Sequence, residues 1–193
     1  MKIGELIMLA TNLQPFLMGI AVSVLVGIAL TLPISSAAIC AAFGLTGLAG
    51  GAAVAGCCAQ MVGFAVMSFK ENRWGGLVSQ GIGTSMLQMG NIIKNPRIWI
   101  APIVTSAITG PMATCLFKLQ MNGTPVSSGM GTCGFVGQIG VYSGWVNDIA
   151  NGTKAAITGF DWTGMILISF ILPAVLCPLI NMLLKKIGWV KDG

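Results

Sequence analysis

The chain has 193 residues, 55% apolar and only 8% charged, with 27 glycines, no histidine and a formal net charge of +5. A soluble domain carries about 25% charged residues, so this composition excludes an ordinary water-soluble fold and places the chain in a bilayer. Its ten Lys and Arg form no basic stripe and no aromatic platform accompanies them, which excludes nucleic acid as a partner, and five carboxylates with six scattered cysteines indicate neither a metal, a disulfide framework nor any other cofactor. The first apolar run, Leu13 to Leu32, follows Lys2 and precedes Ser36-Ala37-Ala38 in the manner of a signal peptide. At about 20 residues it is too long for that and long enough to span. The next piece, "PISSAAICAAFG", is apolar but too short to cross, and Pro33 removes a backbone donor at the break; a half-helix is expected there.

Leu45 to Phe69 reads as a second span, Ile98 to Phe117 as a third and Thr163 to Leu184 as a fourth, the last ending on Lys185-Lys186. Trp99, Trp162 and Trp189 fall at or just beyond span ends, where indoles favour the interface. The glycines of "GLAGGAAVAG" in the second span offer a face for close approach by another helix, and a homo-oligomer is expected from it.

Between the second and third spans, "ENRWGGLVSQGIGTSMLQMGNII" is flanked by Lys70 and Arg73 on one side and Lys94 and Arg97 on the other. If both flanks are cytoplasmic, the middle is re-entrant. That orientation puts eight cations inside, Lys2, Lys185, Lys186 and Lys191 among them, against Lys118 and Lys154 outside. The positive-inside bias therefore predicts both termini cytoplasmic and places Leu119 to Asp161 outside.

Two heptads stand out, Ser79-Gln80-Gly81-Ile82-Gly83-Thr84-Ser85 and Ser127-Ser128-Gly129-Met130-Gly131-Thr132-Cys133, identical at four of seven positions and 48 residues apart. One enters from the cytoplasm and the other from outside in the predicted topology. This is the pattern of an inverted pair of re-entrant loops meeting near the midplane, where transporters expose backbone groups to solute. The fold class is thus an all-α integral membrane protein of about four full transmembrane helices, with half-helices and two re-entrant loops. Candidate solute-binding residues are Gly81, Gly83, Thr84, Gln88, Asn91, Ser127, Gly129, Gly131, Thr132 and Gln138, which supply bare backbone, amides and hydroxyls. Such neutral chemistry suits a sugar or another polyhydroxylated solute, and no span holds the carboxylate usual in ion coupling. Gln60, an amide of the same kind, is assigned to interhelical bonding. For phosphoryl transfer, Glu71 in "SFKENRWGG" is the one carboxylate at the inner mouth, and no GxxxxGKS phosphate loop is present.

The stretches "LTLPISSAAICAAFGLTGLAGGAAVAGCCAQMVGFAVMSFKENRWGG", "QGIGTSMLQMGNIIKNPRIW" and "GPMATCLFKLQMNGTPVSSGMGTCGFVGQIG" resemble the second EIIC-type family of the phosphotransferase system, which includes perfringolysin-regulator-like membrane proteins. The resemblance runs from about Leu13 to Trp145 and treats residues 1–193 as a single transmembrane domain, the C-terminal part of the family's usual length. It implies a bacterial cytoplasmic-membrane permease subunit that moves a sugar inward to a phosphocarrier EIIB-type domain. The Thr-Glu-Pro motif and the histidine of better-known sugar EIIC domains are absent, so the chain holds no independent catalytic motif and is at most the permease part of a sugar phosphotransferase. A membrane solute sensor without transport, and a small-solute channel, are the alternatives.

Overall fold

The computed structural model describes residues 14–190, whose regular structure is helical apart from an isolated bridge between Gly47 and Met121. Three helical stretches are long and apolar enough to cross a membrane: Gly47–Met67, Pro96–Leu116 and Gly159–Lys186. They match the second, third and fourth predicted spans to within a few residues. The first predicted span appears as α1 (Pro15–Thr31), an apolar helix of 17 residues, or about 25 Å, somewhat under a roughly 30 Å hydrocarbon core. Leu13, where that span was predicted to start, lies outside the described residues. Pro15 opens α1 at a position where its missing N–H costs nothing and its fixed φ favours a helix. The predicted half-helix is α2 (Ser36–Ala42), capped by the Ser35 side chain on the Ala38 N–H.

At the centre stands α3 (Gly47–Met67), almost wholly buried from Gly50 to Ala65. Its glycines and alanines leave little side chain, so neighbouring backbones come close. Backbone of Ser23 in α1 lies where a Cβ on Gly56 would stand, and the Leu119 carbonyl does the same at Gly51. α6 (Ile100–Pro111) completes the core, with the Ser23 hydroxyl donating to the Ser106 carbonyl at 2.8 Å. In a bilayer such contacts act through packing and hydrogen bonding, because lipid tails are as apolar as the side chains they would replace. The glycine face proposed for another copy is therefore filled from within the chain.

Contacts along α1 fix its direction. Pro15 accepts from Thr114 near the end of the third span, Ser23 meets Gly56 and Ser106, and Thr31 meets Gln60. α1 thus runs parallel to α3 and antiparallel to α6. The described start of α1 lies near Lys118, at the opposite end of α3 from Lys185, whereas the charge bias predicted an N-terminus on the Lys185 side. The small residues Gly19, Ser23 and Gly27, which fit α3 and α6 in this direction, decide the matter for α1; the segment carrying Lys2 lies outside the described residues. α2 then returns the chain toward Gly47, which is why so short a helix suffices.

Two hairpins fill the remaining space. From the Met67 end come α4 (Phe69–Val78), a wide π turn at Ser79–Gly83, a 3-10 turn at Ser85–Gln88 and α5 (Met89–Lys94). From the Gly47 end come α7 (Pro125–Ser128), a 3-10 turn at Cys133–Phe135 and α8 (Val136–Ala150). The chain closes with α9 (Gly159–Ile166), a π turn at Leu167–Ile171 and α10 (Leu172–Lys186). That π turn falls just before Pro173, which cannot donate back to the Ser169 carbonyl, so the wider turn coincides with a gap in the ladder.

Candidate functional site at the meeting of two loops

The two heptads touch. Thr132, fully buried, donates its hydroxyl to the Gly81 carbonyl and also lies 3.6 Å from the Met61 sulfur. The contact therefore sits partway along α3, with one loop arriving from each end. The tip of the second loop is shaped by positive φ at Gly131, Gly134 and Phe135, at 54°, 53° and 58°. Glycine adopts that conformation without cost, whereas Phe135 is a bulky outlier of the kind that persists only where its surroundings demand it.

Around the first loop the side chains join into a chain of neutral hydrogen bonds. Gln80 Oε1 accepts from Ser68 Oγ at 3.2 Å and from Gln88 Nε2 at 2.8 Å, and Gln88 Oε1 accepts from Asn91 Nδ2 at 2.8 Å. Gln80 and Gln88 are each 4% exposed, so their orientation is set by these bonds rather than by water. Asn91, by contrast, is exposed. It opens on a cavity of about 560 Å3 lined by Phe64, Met67, Ser68, Glu71, Asn72, Gln88, Lys94, Asn95, Asn181 and Lys185, among others. That volume falls in the roughly 300–1,000 Å3 range of small-molecule sites. Its wall offers amides, one hydroxyl and one carboxylate, with two lysines among the lining residues and Phe64 and Met67 as an apolar side. Asn181 Oδ1 is buried without a partner in the described structure, an acceptor left available beside the cavity.

The candidate residues divide between this cavity and the loop junction. Gln88, Asn91 and Glu71 line the cavity, and Glu71 is exposed there. Gly81 and Thr132 bond each other, and Thr84 caps the 3-10 turn by accepting from the Met86 N–H. Gly83 is exposed, with nothing within 4 Å of where a side chain would begin. The others pack against protein. A Cβ on Gly129 would stand 2.6 Å from the Ser36 carbonyl oxygen, and one on Gly131 would stand 2.5 Å from the Cys57 Cβ. Ser127 pairs with Thr124 at 2.9 Å and backs onto Gly140. Gln138 donates to the Cys58 sulfur at 3.3 Å, away from the cavity, and its Oε1 has no partner in the described structure. Bare backbone in the second heptad thus faces helices.

Gln60 is interhelical as expected, its Oε1 accepting from Thr31 at 3.3 Å and from Trp99 Nε1 at 2.9 Å. Trp99 is therefore a core hydrogen-bond donor and not simply an interfacial marker, while Trp162 and Trp189 stay exposed. Sequence reasoning passed over Ser68, Asn72, Asn95 and Asn181. Asn181 was the findable one, an uncharged amide within an otherwise apolar span, where a polar group usually has a partner or a task. No cluster of groups able to hold a metal occurs among the described residues.

The sequence matches the family described as phosphotransferase system, EIIC, over residues 1–193. The chain belongs to the EIIC family. Neither the curated proteins nor the solved structures contain a match to it. Family membership supports a permease-type role in the phosphotransferase system, and with the apolar helices it makes this EIIC chain a multi-pass membrane protein. EIIC components in general serve a sugar and work with an EIIB partner.

Proposed function

We propose that this EIIC chain binds a neutral, polyhydroxylated solute of sugar type in the cavity between Glu71 and Asn181 and delivers it to the cytoplasm for phosphorylation by an EIIB-type domain. The observation that carries the reading is the hydrogen-bonded series Gln80–Gln88–Asn91, which runs from the loop junction to the cavity wall. A solute bound to Asn91 is thereby linked to the backbone of the first loop, and that loop is tied to the second through Thr132. In this reading both loops are re-entrant, and their contact is the barrier separating the two sides of the bilayer.

The cavity opens toward the cytoplasm, because Lys94 and Lys185 line it and Lys70, Arg73 and Arg97 are near in sequence to its lining residues. There a phosphorylated EIIB-type partner presents its phosphoryl group. The solute hydroxyl attacks phosphorus, the partner's phosphoryl linkage breaks, and Glu71 takes the hydroxyl proton. Nearby lysines offset the negative charge of the product. The test is accumulation of labelled sugar phosphate in cells with and without the general phosphotransferase kinases, comparing wild type with Glu71→Gln and Gln88→Leu. Accumulation that depends on the kinases and falls in both variants is expected. Binding with neither uptake nor phosphorylation in either strain would replace the permease with a solute sensor, and kinase-independent equilibration would replace it with a channel.

A further inference from the structure

The other end of α3 holds a second cavity that the proposed function does not use. It measures about 530 Å3 and is walled by the end of the third span, the loop after it, α8 and α9. Its lining includes Phe117, Asn122, Trp145, Asp148, Lys154, Phe160 and Asp161. Its polar groups are held in place. Lys154 pairs with Asp161 at 2.7 Å, Asn122 donates to Asp148 at 2.7 Å, and Asp161 also accepts from both the N–H and the hydroxyl of Thr158 in the capping box of α9. Lys154 stands 5.3 Å from the centre of the Trp145 ring, so the cation is placed by an ion pair and an aromatic face together.

Beside these polar groups is an aromatic wall. The Phe117 and Phe160 rings lie 5.4 Å apart, and Phe117 packs directly on Gly164, where any side chain would displace it. At the cavity's edge Lys118 holds a φ of 45°, a conformation disfavoured for a long side chain and one that gathers at binding sites. The lining lysines Lys118 and Lys154 balance the carboxylates Asp148 and Asp161, so the cavity has no net charge with which to attract an ion. Fixed carboxylate and amide acceptors beside apolar ring faces match a solute with hydroxyls around its edge and C–H groups on its face.

We propose that this cavity is a second solute site, one that takes a neutral saccharide on the side of the protein opposite the Glu71 cavity. Its ligand class follows from its own lining. Its use as the place where solute first docks rests on the permease reading. The saccharide ring packs on Phe117 and Phe160, and its hydroxyls bond Asp148, Asn122 and Asp161.

The test uses the full chain in lipid nanodiscs, titrated calorimetrically with D-glucose, D-galactose, D-fructose, maltose and lactose, and with gluconate as an anionic control. Asp148→Asn keeps an acceptor for Asn122 while removing the charge, and Phe160→Ala removes a ring that is 56% exposed and so costs the fold little. At least one neutral sugar is expected to bind, with each variant weakening it about tenfold or more at an unchanged unfolding temperature. If Asp148→Asn lowers the unfolding temperature, Phe160→Ala decides alone. No binding by any of the sugars, preference for gluconate, or binding unaltered in Phe160→Ala overturns the proposal. Sugar binding lost in Gln88→Leu but unaltered in Phe160→Ala overturns it while leaving the Glu71 cavity as the solute site. Kinase-dependent accumulation of sugar phosphate judges the permease reading separately.

Discussion

Thr132 donates its hydroxyl to the carbonyl of Gly81, so one copy of a repeated heptad bonds the other across 51 residues of chain. The two segments come from opposite ends of α3 and meet beside Met61, where the Thr132 hydroxyl also lies within reach of the sulfur. A single side chain thereby ties the two loops together. Each loop is otherwise held by its own surroundings: the first by the Ser68, Gln80, Gln88 and Asn91 series, the second by backbone packing against α2 and α3.

Thr132→Val keeps the volume and removes that donor. Thr132 has no exposed surface, so the Gly81 carbonyl loses a partner that water cannot readily replace. A loss of about 1–3 kcal/mol of stability is expected, read as a lower unfolding temperature in detergent, with Thr132→Ser recovering most of it. An unchanged unfolding temperature in Thr132→Val would show that the loops hold together without this bond.

Gly131→Val and Gly83→Ala separate packing from solute exposure. At Gly131 a side chain meets Cys57 at 2.5 Å and must also adopt a φ of 54°, which together cost about 1–2 kcal/mol for the backbone and about 1–3 kcal/mol for overpacking. At Gly83 nothing lies within 4 Å, and alanine is expected to leave the unfolding temperature nearly unchanged. Equal thermal destabilisation by the two substitutions would contradict this ranking.

The second, third and fourth spans were legible because a long uncharged apolar run has few other uses, and the two heptads that touch through Thr132 were legible as a repeat. What Gly129 and Gly131 face was not. A glycine that lets a solute approach and one that lets a helix approach look the same in sequence, and here Ser36 and Cys57 occupy the space. The direction of α1 was also hidden, because counting lysines says nothing of how Gly19, Ser23 and Gly27 fit against Gly110 and Gly56. Gln80 was visible only as a member of the first heptad, since its centrality depends on Ser68 and Gln88 being brought to it by a turn of the chain.

Gln88→Leu breaks both links of the amide series at once. Gln80 Oε1 retains Ser68 as a donor, whereas Asn91 loses its acceptor and is free to turn. Solute affinity in the Glu71 cavity is expected to fall about tenfold or more, for a stability cost of about 1–2 kcal/mol. Gln88→Glu offers Asn91 an acceptor again but cannot donate to Gln80 when ionised, and partial recovery of binding is expected from it. Calorimetric titration of a solute that wild type binds, beside thermal unfolding of each variant, measures both quantities. Full affinity in Gln88→Leu would remove the hydrogen-bonded series from solute recognition.

Sidedness can be read by cysteine labelling, with probe sites chosen by exposure. Ser85 is fully buried and would react poorly from either side, so the first loop is better probed at Ser79 and the second at Gly134, both exposed. In a cysteine-free background, Gly134→Cys is expected to react with a membrane-impermeant maleimide added outside intact cells, and Ser79→Cys only after the membrane is opened. The same pair of conditions tests the direction of α1. Gln14 lies at the Thr114 end of the bundle and Lys186 at the Met67 end, so Gln14→Cys is expected to label with Gly134→Cys, and Lys186→Cys with Ser79→Cys. Positive residues in short loops favour the cytoplasm, which predicts Lys186 inside and Gln14 outside. Labelling of Gln14→Cys only with Ser79→Cys would reverse α1 in the membrane and break its parallel packing on α3, whereas labelling of Ser79→Cys and Gly134→Cys from one side would remove the two-sided barrier on which the permease reading depends.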